Sequence, residues 1–193
     1  MVKILEIDLR DPLCPLKVDD DSISTVPFYY PLSFDFGGGE VQYTLKSDNE
    51  IHLFNTPIED EDYEEYPYPE ELPEHPVSLV PLSYEEFRAL TVWDVNYAYE
   101  TPDSDKTILD RIDSSHIIRI GGSINPPYGS IQWQCKNQEC KWSEIEAAAG
   151  MIASIPSEPI EGLDMWGADG WGPDIYFCLC RSCKTIFTVN RCT

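Results

Sequence analysis

Two short cysteine loops dominate the C-terminal region of this chain: Gln134-Cys135-Lys136-Asn137-Gln138-Glu139-Cys140-Lys141 and Cys178-Leu179-Cys180-Arg181-Ser182-Cys183-Lys184. Strand-like runs flank them, at 131–134 before the first and at 175–177 and 185–189 around the second. Two hairpins placed together bring four sulfur atoms to the corners of a tetrahedron, the arrangement in which Zn²⁺ binds thiolates. The sequence therefore predicts a zinc-ribbon-like site that holds this region of the chain together.

The predicted ligands of this structural zinc site are Cys135, Cys140, Cys180 and Cys183. Cys178 is an alternative ligand, because its side chain points to the same strand face as that of Cys180. Four residues separate Cys178 from Cys183, the same spacing as between Cys135 and Cys140 in the first loop. Four thiolates leave no position for water, so the site is expected to be structural rather than hydrolytic. Buried thiols without a metal stay open as a second interpretation.

Negative charge is concentrated in the N-terminal region. The net charge is −22; residues 1–115 carry 27 Asp and Glu against 7 Lys and Arg, and residues 116–193 carry 8 against 6. Such a surface repels nucleic-acid phosphates and anionic lipids, and it attracts basic proteins by salt-sensitive steering. We therefore expect a basic protein partner, and neither direct nucleic-acid binding nor membrane binding.

The start of the chain and the cysteine count predict a cytoplasmic location. Acidic residues occupy the N-terminal region where a secretory signal needs an apolar core, and no apolar run approaches the roughly twenty residues that cross a bilayer. In a reducing compartment the seven cysteines are expected to be free thiols or metal ligands. Cys14 is expected to be a small buried apolar residue.

Residues 59–76 form an acidic segment with nine carboxylates, three tyrosines and four prolines. The segment contains too little apolar area to offset the entropy of ordering it, so it is predicted to be exposed. It is either a solvated linker or a mobile arm that engages a basic partner. In the second case the partner-binding residues are Glu59, Asp60, Glu61, Asp62, Glu64, Glu65 and Tyr66.

The remaining pattern predicts an α+β fold, with β-rich mixed or antiparallel sheets, few short helices and the zinc-ribbon-like hairpins. Apolar runs predict strands at 2–9, 41–45, 51–54, 77–80, 116–120 and 151–155. A capping box at Ser83 and Glu86 predicts a helix to about Val92, residues 101–104 read as a turn, and 142–149 as helical turns. The acidic residues 1–115 and the zinc-stapled residues 116–193 are expected to form one continuous domain.

Residues 116–193 resemble the YwqG-like bacterial family. The resemblance is carried by Ile120-Gly121-Gly122, Ile131-Gln132, the cysteine pairs, and Met165-Trp166-Gly167-Ala168-Asp169-Gly170 before Tyr176-Phe177. It implies a β-rich, mixed-sheet fold, and some family members and the related programmed-cell-death-protein-2-type domains carry cysteine pairs at these two places. The chain departs from the family pattern by a longer turn at 123–126 and by Ala168. The family has no agreed activity, although some relatives sit among toxin and immunity genes.

Two functional hypotheses follow. The leading one is a non-enzymatic interaction module, for instance an immunity-type inhibitor that covers the cationic active site of a basic toxin or nuclease. The alternative is an enzyme or small-ligand-binding protein with a pocket near Gly121-Gly122 and the Trp166–Trp171 loop. Trp166 and Trp171 are either partner-binding aromatics or core residues packed over the zinc hairpins. No catalytic residue is assigned, because the three histidines lack metal-ligand spacing.

Overall fold

The computed structural model describes residues 1–32, 40–55, 72–96, 101–121, 134–141, 149–163, 165–166, 172–180 and 182–191. The strands among these residues are β1 (Val2–Asp8), β2 (Thr25–Tyr30), β3 (Val41–Ser47), β4 (Glu50–Asn55), β5 (Arg119–Ile120), β6 (Ala149–Ile155), β7 (Asp174–Cys180) and β8 (Thr185–Arg191). The helices are α1 (Tyr84–Asn96), α2 (Asp103–Arg111) and a 3₁₀ turn at Ser114–His116. None of these helices is both long and apolar enough to cross a membrane.

The strands form two sheets in which every pair is antiparallel. β1 and β2 make a two-stranded sheet, and the other six strands lie in the order β4-β3-β8-β7-β6-β5. The predicted β-rich α+β fold with few short helices is therefore confirmed. Because β3 pairs with β8, strands from both sides of residue 115 share one sheet.

The central strand β7 is apolar along its length because both of its faces are covered. Its side chains alternate, and those that point into the main core, shared by the two sheets, are Ile175, Phe177 and Leu179. Those that point to the opposite face are Tyr176, Cys178 and Cys180. On the core side Phe177 meets Phe28 of β2 edge to face, with the ring centroids 4.9 Å apart. The opposite face carries the cysteine loops.

Helix α1 begins at the predicted capping box. The Glu86 amide donates to Ser83 Oγ at 3.2 Å, and the Ser83 amide donates to Glu86 Oε2 at 2.8 Å. The helix continues to Asn96, past the predicted end at Val92.

Helix α2 is a correction to the predicted turn at 101–104. It begins directly after Pro102, and its sequence Asp-Ser-Asp-Lys-Thr-Ile-Leu-Asp-Arg is too polar to show a helical apolar period. Leu109 packs against Ala89 and Leu90 of α1, and the buried Asp105 forms an ion pair with Arg88. Tertiary contact with α1 therefore stabilises a helix that the sequence pattern alone does not indicate.

Three other predicted elements differ from the structure or fall outside it. Residues 77–80 are outside any ladder and largely exposed, so the strand predicted there is wrong. The strand predicted at 116–120 is reduced to Arg119–Ile120, after the 3₁₀ turn. The predicted helical turns at 142–149 lie outside the described residues except for Ala149, which begins β6. Most of the acidic segment 59–76 also lies outside them.

Asp174, the first residue of β7, is half-buried, and its carboxyl has an altered affinity for protons. Its carboxylate accepts hydrogen bonds from the Ser157 amide at 3.3 Å and from the Tyr176 hydroxyl at 3.4 Å. Burial nevertheless raises the pKa of this carboxyl from 3.8 to about 6, with Arg119 opposing the shift. Arg119 itself is paired with Asp94 at 2.6 Å.

The raised pKa of Asp174 predicts a pH-dependent contribution to stability. The folded chain holds this proton more tightly than the unfolded chain, so the contribution is present at low pH and is lost as pH rises from 3.8 to about 6. Asp174→Asn removes the ionisation. The free energy of unfolding of the variant minus that of the wild type should therefore increase across this window and then stay level. Urea unfolding at several pH values measures it; a difference that does not vary with pH would contradict the assignment.

Candidate metal centre

The second cysteine loop is the tight turn that joins β7 to β8. Cys180 is the last residue of β7, and the Lys184 amide donates to the Cys180 carbonyl at 3.2 Å. Lys184 has a positive φ of 60°, a conformation that allows the chain to reverse within few residues. Backbone amides of Ser182 and Cys183 donate to the Cys180 sulfur and favour its thiolate form. The turn thus presents Cys180 and Cys183 on one side of the hairpin end.

The first cysteine loop is held in a turn by Asn137. The Cys140 amide donates to the Asn137 carbonyl at 2.9 Å, and the Glu139 amide donates to Asn137 Oδ1 at 3.0 Å. Asparagine favours such turns because its side chain accepts a hydrogen bond from the backbone two residues ahead. The backbone amide of Asn137 also donates to the Cys135 sulfur. In both loops, therefore, the amide two residues after the first cysteine donates to its sulfur.

A buried glutamine on β3 fixes the backbone on both sides of Cys135. Gln42 Nε2 donates to the Gln134 carbonyl at 2.8 Å, and the Lys136 amide donates to Gln42 Oε1 at 2.9 Å. One side-chain amide thus satisfies the two backbone groups that a neighbouring strand would otherwise satisfy. We call this pair of bonds the Gln42 clasp. It attaches the first cysteine loop to the N-terminal half of the sheet.

Two threonines link the two cysteine loops through hydrogen bonds. Thr44 and Thr185 are opposite each other on β3 and β8, with their hydroxyl oxygens 2.9 Å apart. Thr185 Oγ1 lies 3.0 Å from the Cys183 sulfur, and Asn137 Nδ2 donates to Thr44 Oγ1 at 3.4 Å. The positions of the two loops relative to each other are therefore set by side chains of the sheet beneath them.

The four predicted ligands converge in the structure. The sulfur atoms of Cys135, Cys140, Cys180 and Cys183 all lie within 4.8 Å of one another. The Cys135–Cys183 sulfur separation is 3.5 Å and the Cys140–Cys180 separation is 3.7 Å. A tetrahedral metal with bonds of about 2.3 Å requires sulfur separations of about 3.8 Å. None of the four cysteines forms a disulfide, and this geometry could hold one metal ion.

The burial of the cluster makes the thiolate forms dependent on a cation. Cys135, Cys140 and Cys180 are buried, and Cys183 is half-buried. Burial raises the pKa of Cys135 well above its usual range and that of Cys180 to about 11. Near neutral pH these groups would stay protonated in isolation, because a low-dielectric environment disfavours their charged form. A bound cation would reverse that preference and displace the protons.

Cys178, the alternative ligand, is not among the four clustered sulfurs. It is buried on the same face of β7 as Cys180, beside Phe187 on β8. Two residues of strand separate their Cα atoms by roughly 6.6 Å, so Cys178 lies further from the hairpin end. Its pKa is raised by burial, as expected of a thiol in an apolar environment. Cys14 packs partly buried against the main core, and Cys192 lies outside the described residues.

Trp166 does not form the partner-binding surface that the sequence suggested. Its side chain is only 4% exposed, and its indole N–H donates to the Pro173 carbonyl at 2.9 Å. The ring packs edge to face on Tyr30, with centroids 5.8 Å apart, so it belongs to the main core and not to the cysteine face. A Cβ on Gly172 would lie 2.2 Å from the Trp166 ring, so this contact requires glycine.

Several predicted site residues lie outside the described residues: Glu59, Asp60, Glu61, Asp62, Glu64, Glu65, Tyr66, Gly122 and Trp171. Gly121 is described. It has a φ of +71° and lines an apolar groove of about 700 Å³ on the opposite side of the sheet edge from the cysteines. Sequence reasoning did not identify Gln42, Thr44 and Thr185. The available signal was that Gln42 and Thr44 alternate with apolar residues in β3, which indicates one shared polar face.

Removal of one ligand tests the metal centre. Cys183→Ser should reduce the amount of bound metal and lower the melting temperature by about 10 °C or more. The reason is that the variant loses several kcal/mol of unfolding free energy, and for a chain of this size each kcal/mol lowers the melting temperature by about 2–4 °C. Cys178→Ala should keep the metal, and Cys14→Ser is a control remote from the cluster. Elemental analysis after dialysis against a chelator, with thermal unfolding followed by circular dichroism, measures both effects. Equal metal content in Cys183→Ser and wild type would contradict the ligand set.

The Gln42 clasp gives a second prediction. Gln42→Leu removes both hydrogen bonds of the clasp, together with the one that Gln42 donates to Glu40, at similar side-chain size. The first loop is then free to move, and metal binding should weaken about 10–100-fold. Gln138→Leu, at an exposed position of the same loop, is the matched control. Competition with a chromogenic chelator measures the affinities, and circular dichroism confirms that the metal-loaded variant is folded. Equal affinities for the two variants would show that the clasp does not position Cys135.

No protein-family model matches the chain, and no curated protein or solved structure shows significant similarity to it. The resemblance of residues 116–193 to the YwqG-like family stays a prediction.

Proposed function

We propose that this chain is a non-enzymatic protein-interaction module whose cysteine cluster holds one structural Zn²⁺. The observation that carries the zinc assignment is the convergence of four cysteine sulfurs, none of them in a disulfide, within 4.8 Å of one another. Four sulfur ligands in a tetrahedron suit zinc, whereas calcium and magnesium prefer oxygen. Iron is the main competitor for such a set of ligands. One zinc per chain in the elemental analysis supports the proposal, and iron in its place contradicts it.

The zinc would act by joining two separate segments of the chain, the first of which is hydrogen-bonded to a third, β3. Cys135 and Cys140 come from a loop clasped to β3, and Cys180 and Cys183 come from the β7–β8 hairpin. With four thiolates bound, no coordination position remains for water or substrate, so the metal would have no hydrolytic role. Binding energy on the order of 10 kcal/mol would contribute directly to folding.

The proposed partner is a basic protein. The support is the net charge of −22, most of which lies in residues 1–115 with 27 carboxylates against 7 Lys and Arg. Opposite charges accelerate encounter and select against wrong partners. The concrete form we propose is an immunity-type inhibitor that covers the cationic active site of a toxin such as a nuclease. The sequence likeness to the YwqG-like family is compatible with this role because some relatives sit among toxin and immunity genes.

A salt-dependent pull-down tests the partner proposal. The tagged chain should retain one basic protein from its source lysate at about 0.1 M salt and release it at about 1 M, because screening shortens the Debye length from about 10 Å to 3 Å. A variant with amides in place of the six carboxylates at Glu59, Asp60, Glu61, Asp62, Glu64 and Glu65 should retain less. Mass spectrometry identifies the retained protein. An empty pull-down at low salt would contradict the proposal.

The second candidate, a small-ligand-binding protein or enzyme, has one supporting observation, the groove that Gly121 lines. Its ligand would bind by apolar contact, and salt would barely affect such binding. The two candidates are therefore separated by the ionic-strength dependence of whatever the chain binds.

A further inference from the structure

An apolar groove lies beside β5, the short strand at one edge of the six-stranded sheet. Its lining includes the extended segment 77–82, Phe87 and Leu90 of α1, Leu5, and residues 117–121. The volume is about 700 Å³, and every residue that lines the groove is among those that the structure describes. Its size is typical of ligand and peptide sites in proteins.

Exposed apolar side chains are concentrated beside this groove. Of the nine large hydrophobic residues that are exposed in the described ranges of the chain, five line the groove: Leu13, Val77, Val80, Leu82 and Phe87. Val80 is 78% exposed although it follows a partly buried leucine in the same extended segment. Single exposed apolar residues are ordinary, but a contiguous group next to an apolar groove marks an interaction surface. Burial of these side chains by another protein would stabilise the complex.

The segments that supply the lining of the groove carry more carboxylates than cations, although the titratable residues in the lining itself are only Glu86, Arg119 and His116. Three of these segments, 1–16, 72–94 and 103–121, contain six Lys and Arg and eleven Asp and Glu, and the fourth contributes Pro159. Each of the six cations is already paired with a carboxylate of these segments: Lys3, Arg10, Arg88, Lys106, Arg111 and Arg119. Five further carboxylates stand on the same segments: Asp11, Glu74, Glu85, Asp110, and Asp113, which is hydrogen-bonded to His116 of the groove lining. The segments that supply the groove lining therefore carry an excess of negative charge.

We propose that this groove is the docking site for a basic amphipathic segment of the partner protein. Its apolar side chains would enter the groove, and its Lys and Arg would face the surrounding carboxylates. A second copy of the chain is disfavoured as the occupant because each copy carries a charge of −22. The inference rests on the proposed function, to which it adds the surface and the chemistry of the docked segment.

The test uses two labelled peptides of identical composition. One is an 18-residue Leu and Lys peptide arranged to place leucine on a single helix face, and the other is its scrambled version without an apolar face. Fluorescence anisotropy with the full-length chain measures both affinities. We expect the amphipathic peptide to bind about tenfold more tightly than the scrambled one, because only it can fill the groove.

Two variants locate the binding. Val80→Gln with Leu82→Gln removes apolar area without changing charge and should weaken the amphipathic peptide about tenfold, with little effect on the scrambled one. Leu53→Gln is the matched control, since Leu53 is 40% exposed on β4 at the opposite edge of the sheet. Thermal unfolding verifies that both variants are folded.

The outcomes separate the groove from the proposed function. Equal binding of the two peptides would contradict the proposal that the groove is the docking site, and so would equal weakening by the Leu53→Gln control. Neither result would contradict the proposed function as an acidic interaction module. Failure to bind either basic peptide at about 0.1 M salt would contradict the acidic interaction surface itself. Tight binding of a Leu and Glu peptide of the same design would overturn the inferred basic character of the docked segment.

Discussion

The alternation of side chains along β7 is the constraint on which the rest of this structure depends. The side chains of its odd-numbered residues point into the core between the two sheets. Those of its even-numbered residues from Tyr176 to Cys180 point to the opposite face, where the cysteine cluster lies. A shift of one residue in the pairing of β7 would exchange these faces, moving Phe177 to the cysteine face and Cys180 into the main core. The same register therefore determines both the hydrophobic core and the position of half of the cysteine cluster.

The cysteine cluster also depends on the N-terminal half of the chain, which contributes no ligand. Gln42 and Thr44 lie on the face of β3 that the cysteines share, and they bond to the first loop and to Thr185. Polar residues are costly to bury unless they are satisfied, and here each has a specific partner. The proposed metal would thus tie together a sheet assembled from distant segments of the sequence, so its contribution to stability would extend beyond the cysteine loops.

Charge and apolar surface have separate roles in the recognition that we propose. The net charge acts over several ångströms and selects basic molecules, but it gives little information about shape. The groove beside β5 offers the short-range apolar contacts that fix orientation, and Arg119, the one arginine in its lining, is already paired with Asp94. A surface of this kind would combine rapid encounter with a defined mode of docking.

The sequence by itself determined the features that depend on local pattern. The capping box predicted the start of α1, the apolar runs predicted most strands, and the two cysteine pairs predicted the four sulfurs that converge. It did not predict α2, which is too polar to show a helical period and is stabilised by packing on α1. It also left open whether Cys178 or Cys180 joins the cluster, because both occupy the same strand face.

Only the tertiary structure decided the relationships between distant residues. It placed Trp166 in the main core, where a contact with Gly172 excludes any larger residue, and it brought Gln42 to the backbone on both sides of Cys135. It also assembled the groove from four segments separated along the chain. Local sequence determines which face of a strand a residue occupies. Which residues cover that face depends on contacts between parts of the chain that lie far apart, as with Gln42 and the first cysteine loop, which are more than ninety residues apart.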